Sequence, residues 1–324
     1  MLKPVLSAAL FAAFALAPQP SSAAEPEQIV DTLNAIFGKH KVRSSQAKGL
    51  CVSGTFSPSP EAAGLTKSAS LVSAGPVLGR FSIGGGNPKA PDTAKAAVRG
   101  FAFRLNDGGK NASDFAFLNT PVQFAKNPDQ FLGFLQARLP GPDGKPDPAK
   151  IKTFSDANPE TTTQGKWLAA RPLPASYAGV NYWGIHAFTL TNAKGDSRIA
   201  KLKLVPAAGE TGLTDDEAKA KPADFLVAEL NERFAKGPAD FNLVAILGEA
   251  GDPTNDATAL WPEESRKTVT LGKLSLTKSE DNAKCDAGIF DPTQLAEGIA
   301  GPKDDPLFEI RSPAYAISLS RRAN

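Results

Sequence analysis

Apolar residues recur at helical spacing over residues 25–40, where Ile29, Leu33, Ile36 and Phe37 fall on one side of a short amphipathic helix. The period then shortens. Residues 48–55 read as a strand that ends in a proline-rich turn. Residues 70–83 hold two strand-like pieces split by Gly75-Pro76, and 84–92 is a glycine- and proline-rich loop. Residues 97–105 form a further strand. Residues 115–124 form another, interrupted at Asn119-Thr120-Pro121, where proline removes a ladder donor. Helices are expected at 127–138 and 147–157, the latter with Pro148 in its first turn. Residues 182–190 and 197–206 alternate apolar and polar positions around a turn at 192–196, a hairpin pattern. Thr214 and the acids after it open one helix running to residue 236. Strands follow at 241–248 and 269–276. Pro313 is tolerable only in a first turn, so the last helix is expected to begin near Arg311 or Ser312. Strands dominate the first two thirds, which predicts an α+β fold built on an antiparallel sheet or barrel. No repeat or compositional break divides it.

The N-terminus changes the picture. Lys3, an apolar run over 4–17, Pro18-Gln19-Pro20 and Ser22-Ala23-Ala24 make a secretory signal too short to span a bilayer. Residues 1–24 are therefore expected to be removed near Ala24, leaving 25–324 as one exported domain, periplasmic or secreted. Losing Lys3 lowers the formal net charge from +2 to about +1, with both signs mixed throughout. Nothing there points to nucleic acid or a membrane surface. Cys51 and Cys285 make either one long-range disulfide or two buried thiols. His40 and His186 are the only histidines, too few for a histidine-based metal cluster.

With only three tyrosines in the chain, Tyr315 stands out. On a helix, Arg311, Tyr315 and Arg322 fall within roughly a 40° arc. A guanidinium beside a phenol favours the phenolate. Phenolate is a hard anionic ligand, and tyrosine is one of the few axial haem ligands. The further arginine is then placed to meet a carboxylate in a bidentate pair. Alone, the segment reads more readily as an amphipathic helix with a core tyrosine and solvated arginines. The rest of the chain decides.

Arg43-Ser44-Ser45-Gln46-Ala47-Lys48-Gly49 is followed by Arg80-Phe81-Ser82, Arg99-Gly100-Phe101-Ala102 and Asn119-Thr120-Pro121 with Phe124. Then come residues 182–188, Trp261-Pro262, residues 271–274, and Arg311 four residues before Tyr315. In this order, from about Lys41 to the C-terminus, the motifs resemble those of the catalases, specifically the small secreted catalase-related peroxidases. The resemblance implies a catalase-like antiparallel β-barrel core with flanking helices and a C-terminal helix that carries the haem ligand. It implies haem b, with Tyr315 on the iron, Arg311 beside it, and Arg43, Arg80 and Arg322 on the propionates. Ser82 would lie behind the distal side chain, Asn119 would hold peroxide, and Phe124 would stack over the haem.

Gln46 departs from the pattern, standing where the family has its catalytic histidine. A carboxamide donates and accepts hydrogen bonds but cannot shuttle the proton between peroxide oxygens. Reaction with peroxide is therefore expected to be slower by roughly 10²–10⁴-fold, with catalase activity weak or absent. His40 would need a different register to substitute, and His186 reads as a structural histidine. The chain stops soon after the Tyr315 helix, so a monomer or simple dimer without a nicotinamide site is expected. Two functions fit: an exported haem peroxidase using hydrogen or organic peroxide to oxidise small organic donors, or a non-catalytic haem-binding protein (sensor, ligand scavenger or haem store). A β-rich exported domain without a cofactor is the remaining reading.

Overall fold

The computed structural model describes residues 23–323. Eight antiparallel strands close into a barrel: β1 (Gly49–Pro58), β2 (Gly75–Ile83), β3 (Arg99–Leu105), β4 (Ser113–Leu118), β5 (Tyr182–Thr191), β6 (Ser197–Pro206), β7 (Ala239–Leu247) and β8 (Thr268–Ser279). The order runs β5-β4-β3-β2-β1-β8-β7-β6, and β6 returns to β5. Alternation along each strand sends one set of side chains inward. Phe81, Phe101, Phe103, Tyr177, Tyr182 and Phe241, all buried, fill the interior as stacked and edge-on rings.

The wall is thinnest where β4 meets β5, paired only at Leu118 opposite Trp183. Beside it, the β5–β6 register shifts between Trp183 and Ala187. The extra residues bulge outward and re-aim His186. Three helices cover this side of the barrel and pack on one another: α1 (Pro26–Phe37), α2 (Pro128–Gln136) and the C-terminal α3 (Pro306–Ala323).

Most elements match the hydrophobic pattern, and the eight-stranded barrel with flanking helices is the expected fold. Four differ. Residues Ala69–Val72 form a helical turn, not a strand, and Gly75-Pro76 begins β2 instead of breaking it. Pro76 is tolerated there because it opens the strand. The helix expected over 214–236 is two, Asp215–Ala220 and Phe225–Lys236, because Pro222 disfavours helix at Lys221, which is extended. Strand β4 ends at Leu118 and does not resume after Pro121. The last helix starts at Pro306, with Pro313 inside it. Its N-terminus is set by Asp305, whose carboxylate accepts the Leu307 N–H at 3.0 Å, with proline following directly.

Cys51 on β1 and Cys285 in the short helix Asn282–Asp286 are joined as a disulfide, both buried, their Cα atoms 5.8 Å apart. Residues 1–22 of the expected signal lie outside the described residues. Ala24, at the expected cleavage point, is buried and donates its N–H to Asp129 Oδ1 at 2.6 Å. Among the described residues no helix is long and apolar enough to cross a membrane.

Candidate functional site

Between the barrel wall and the three helices lies a cavity of about 290 Å³. Apolar side chains of α1 (Ile29, Val30, Leu33) and α2 (Phe131) line it together with Phe124. Three sets of polar groups face it.

The first is α3. One helical turn separates Arg311 from Tyr315, and the guanidinium donates to the phenol oxygen from Nη2 at 2.6 Å and Nε at 3.1 Å. Arg311 Nη1 is buried without a partner. His186, delivered by the β5 bulge, lines the same wall. Its Nδ1 pairs with Asp305 Oδ2 at 2.6 Å, while its Nε2 is buried and unpartnered. Burial pushes the His186 pKa down, opposed by the Asp305 hydrogen bond and reinforced by the nearby Arg311 charge. A neutral imidazole follows, bonding Asp305 through Nδ1–H.

The second is the turn before β1. Gln46 adopts a left-handed backbone, φ 57°, and its amide oxygen accepts from Ser82 Oγ at 2.8 Å. Gly100 makes room for this pair: a Cβ there would stand 2.8 Å from Ser82 Oγ and 3.0 Å from Gln46 Oε1.

The third is a cluster of guanidiniums. Arg80 donates to the Gln46 and Ala47 carbonyls, both at 2.8 Å, and its Nε is unpartnered. It crosses Gly49, where a Cβ would stand 2.5 Å from the guanidinium carbon. Arg43 donates to Cys285 O at 2.6 Å and pairs with the Asp286 carboxylate. Arg322 donates to Gly288 O at 2.6 Å, leaving its Nε unpartnered. Burial, then the Arg80 and Arg322 charges, lower the Arg43 pKa to about 9; Arg80, more deeply buried, falls to about 10. Against these three guanidiniums stands one carboxylate, Asp286, 4.0 Å from Arg80 Nε.

Buried positive charge in excess, with unpartnered nitrogens around an apolar cavity, calls for an anionic ligand with a large apolar body. A phenol oxygen held by a cation offers a ligand for a hard metal ion. Haem, a flat apolar ring with two carboxylates and a ferric centre, fits this donor set.

Eight of the nine residues expected at the site, Arg43, Gln46, Arg80, Ser82, Phe124, Arg311, Tyr315 and Arg322, line this cavity. Asn119 does not. It directly follows β4 and extends the ladder with β3, so that its amide oxygen accepts the Arg99 N–H at 2.8 Å and its own N–H donates to Arg99 O at 2.9 Å. His40 also stays out of the cavity, its Nε2 on Gly86 O at 2.7 Å. The pattern missed Asp286 and Asp305. Asp305-Pro306 carries a readable helix-start signal, whereas Asp286 is an isolated acid with none. His186 is only half the expected structural histidine, since one ring nitrogen remains free.

The catalase family model matches residues 27–323, and the chain belongs to that family. It is 38% identical to a catalase-related peroxidase of Synechococcus elongatus, over 92% of this chain and 88% of that protein. It is 33% identical to a catalase-related peroxidase of Mycolicibacterium paratuberculosis, over 92% and 94%. Catalase A from Saccharomyces cerevisiae shares the fold, with a TM-score of 0.76 at 22% identity, covering 87% of this chain and 61% of that one.

Proposed function

We propose that this is an exported haem b peroxidase in which Tyr315 holds the iron and peroxide is used to oxidise small organic donors. Family membership and the likeness to catalase-related peroxidases support a haem peroxidase-type enzyme. The observation that carries the assignment is the convergence of the Arg311–Tyr315 pair and three arginines, Arg80 buried and Arg43 and Arg322 partly buried, on one apolar cavity. Bound haem supplies the iron at which peroxide is reduced.

The chain's residues have separate tasks. Arg43, Arg80 and Arg322 bind the propionates and offset their desolvation. Arg311 donates to the Tyr315 oxygen and orients it. Gln46, braced by Ser82, positions a bound peroxide by hydrogen bonding and moves no proton. Ile29, Val30, Leu33 and Phe124 exclude water and favour donors with apolar surface. Gln46 also favours the second reading, a haem protein without useful turnover. We place the protein in the periplasm or medium after removal of residues 1–24, as a monomer or simple dimer.

The deciding experiment is the visible spectrum of protein purified from its native compartment, beside that of Tyr315→Phe, with peroxide turnover measured on both. A ferric high-spin spectrum altered by the substitution, with donor oxidation in the wild type, is expected. Haem without turnover selects the second reading, and absence of haem after reconstitution sinks both.

A further inference from the structure

One short stretch, residues 285–290, touches every arginine assigned to the propionates. Cys285 O and the Asp286 carboxylate take Arg43. The same carboxylate faces Arg80 Nε at 4.0 Å. Asp286 O and Gly288 O take Arg322, at 3.3 and 2.6 Å. Ile289 and Phe290 continue along the cavity wall. The stretch follows a single turn of helix, Asn282–Asp286, too short to hold its place alone. What anchors it is the bond from Cys285 to Cys51, supported by the Cys51 N–H donating to Asn282 Oδ1 at 2.8 Å.

We propose that Asp286, held by the Cys51–Cys285 disulfide, is the positioning group of the haem site: it keeps Arg43 and Arg80 side by side before the cofactor arrives and governs how long haem stays. This rests on the haem reading above. The charges are consistent with it. Three guanidiniums held close repel one another; the Asp286 carboxylate offsets this for Arg43 and Arg80, and backbone carbonyls take Arg322. The two positive charges left over match two propionates. Preorganised donors lose less on binding than donors that must first be gathered. Freeing residues 285–290 therefore loosens the receptor for both carboxylates at once while leaving Tyr315 in place.

The test is haem release from reconstituted holoprotein to an excess of a haem-scavenging apoprotein, followed by absorbance. Wild type is compared with C51S/C285S, Asp286→Asn, Asp286→Glu and a remote destabilised control, Leu226→Ala. Leu226 is fully buried and lies away from the cavity. The expected result is release about 10–100-fold faster for C51S/C285S and Asp286→Asn, partial recovery in Asp286→Glu, and near wild-type release for the control at an equal loss of thermal stability. Hydrogen exchange on the haem-free proteins should show faster exchange at 285–290 in C51S/C285S alone. Equal release from C51S/C285S and the control overturns the inference and leaves the haem reading intact. Wild type that takes up no haem overturns both, and the first spectrum reveals it.

Discussion

The Arg311 guanidinium grips the Tyr315 phenol oxygen with two nitrogens, Nη2 at 2.6 Å and Nε at 3.1 Å, from one helical turn away. Two charge-assisted bonds to one oxygen fix the orientation of the phenol on the cavity wall. Arg311→Gln keeps polarity but shortens the side chain and removes the cation. Charged hydrogen bonds contribute about 1.5–3 kcal/mol each, so losing their charge should lower peroxide turnover roughly 10–100-fold. Haem should remain bound, because the propionate arginines are untouched. A visible spectrum identical to wild type, with unchanged turnover, would show that Arg311 does not tune the ligand.

Gln46 gives the second prediction. Its φ of 57° is a backbone conformation in which histidine is several-fold enriched among non-glycine residues, so Gln46→His adds little backbone strain. The new imidazole would sit by Ser82 Oγ, where the amide oxygen now accepts, and would titrate near working pH. Stopped-flow reaction with hydrogen peroxide should accelerate by about 10²–10⁴-fold. No acceleration, in a variant with a normal haem spectrum, would mean that position 46 does not face the bound peroxide.

The barrel was legible because its strands alternate cleanly and its turns carry glycine, proline and asparagine. The site was legible because its motifs are local in sequence: Arg43 to Gln46, Arg80 to Ser82, Arg311 to Tyr315. What escaped depends on contacts between distant segments. Asn119 belongs to a readable motif, but the bond that its amide oxygen accepts from the Arg99 N–H is set by the β3–β4 ladder. Asp286 becomes important only because the disulfide and the barrel bring it to Arg43 and Arg80. His186 lies in a regular alternating stretch whose bulge is set by pairing with β6, which no local pattern records. Pro313 misplaced the helix start because tertiary packing of α3 on α1 and α2 outweighs its cost.

Asp305 joins two structures through its two carboxylate oxygens. One caps α3 at Leu307 N and the other holds His186 Nδ1. Asp305→Ala removes both. A lost cap costs about 1 kcal/mol and an unpaired buried imidazole donor about 1–3 kcal/mol, so thermal unfolding should show roughly 2–4 kcal/mol less stability. Asp305→Asn, whose single amide oxygen can accept at only one of the two points, should recover only part of it. Equal losses in the two variants would argue that the carboxylate charge, not the pair of hydrogen bonds, is what stabilises the helix start.

Lys201, on β6, gives a prediction in pH. Its ammonium is buried over the Trp261 ring, 5.2 Å from the centroid, with only the Ala259 carbonyl at 3.3 Å as a hydrogen-bond acceptor. Burial lowers its pKa from 10.5 to about 8, against the raising influence of Glu263 and Asp305. Below pH 8 the folded and unfolded chains both carry this proton, and folding bears the cost of burying the charge. Between about pH 8 and 10.5 the unfolded chain keeps a proton that the folded chain releases, so this group makes stability rise with pH. The full penalty is on the order of 3 kcal/mol. Lys201→Met should therefore be more stable than wild type at pH 7 by about that amount. The gap should close as pH approaches 10, since the neutral amine no longer pays for burial. Denaturant titrations of both proteins at pH 7, 8.5 and 10 measure it directly. A gap independent of pH would mean that Lys201 keeps its proton throughout, held by the acids around it.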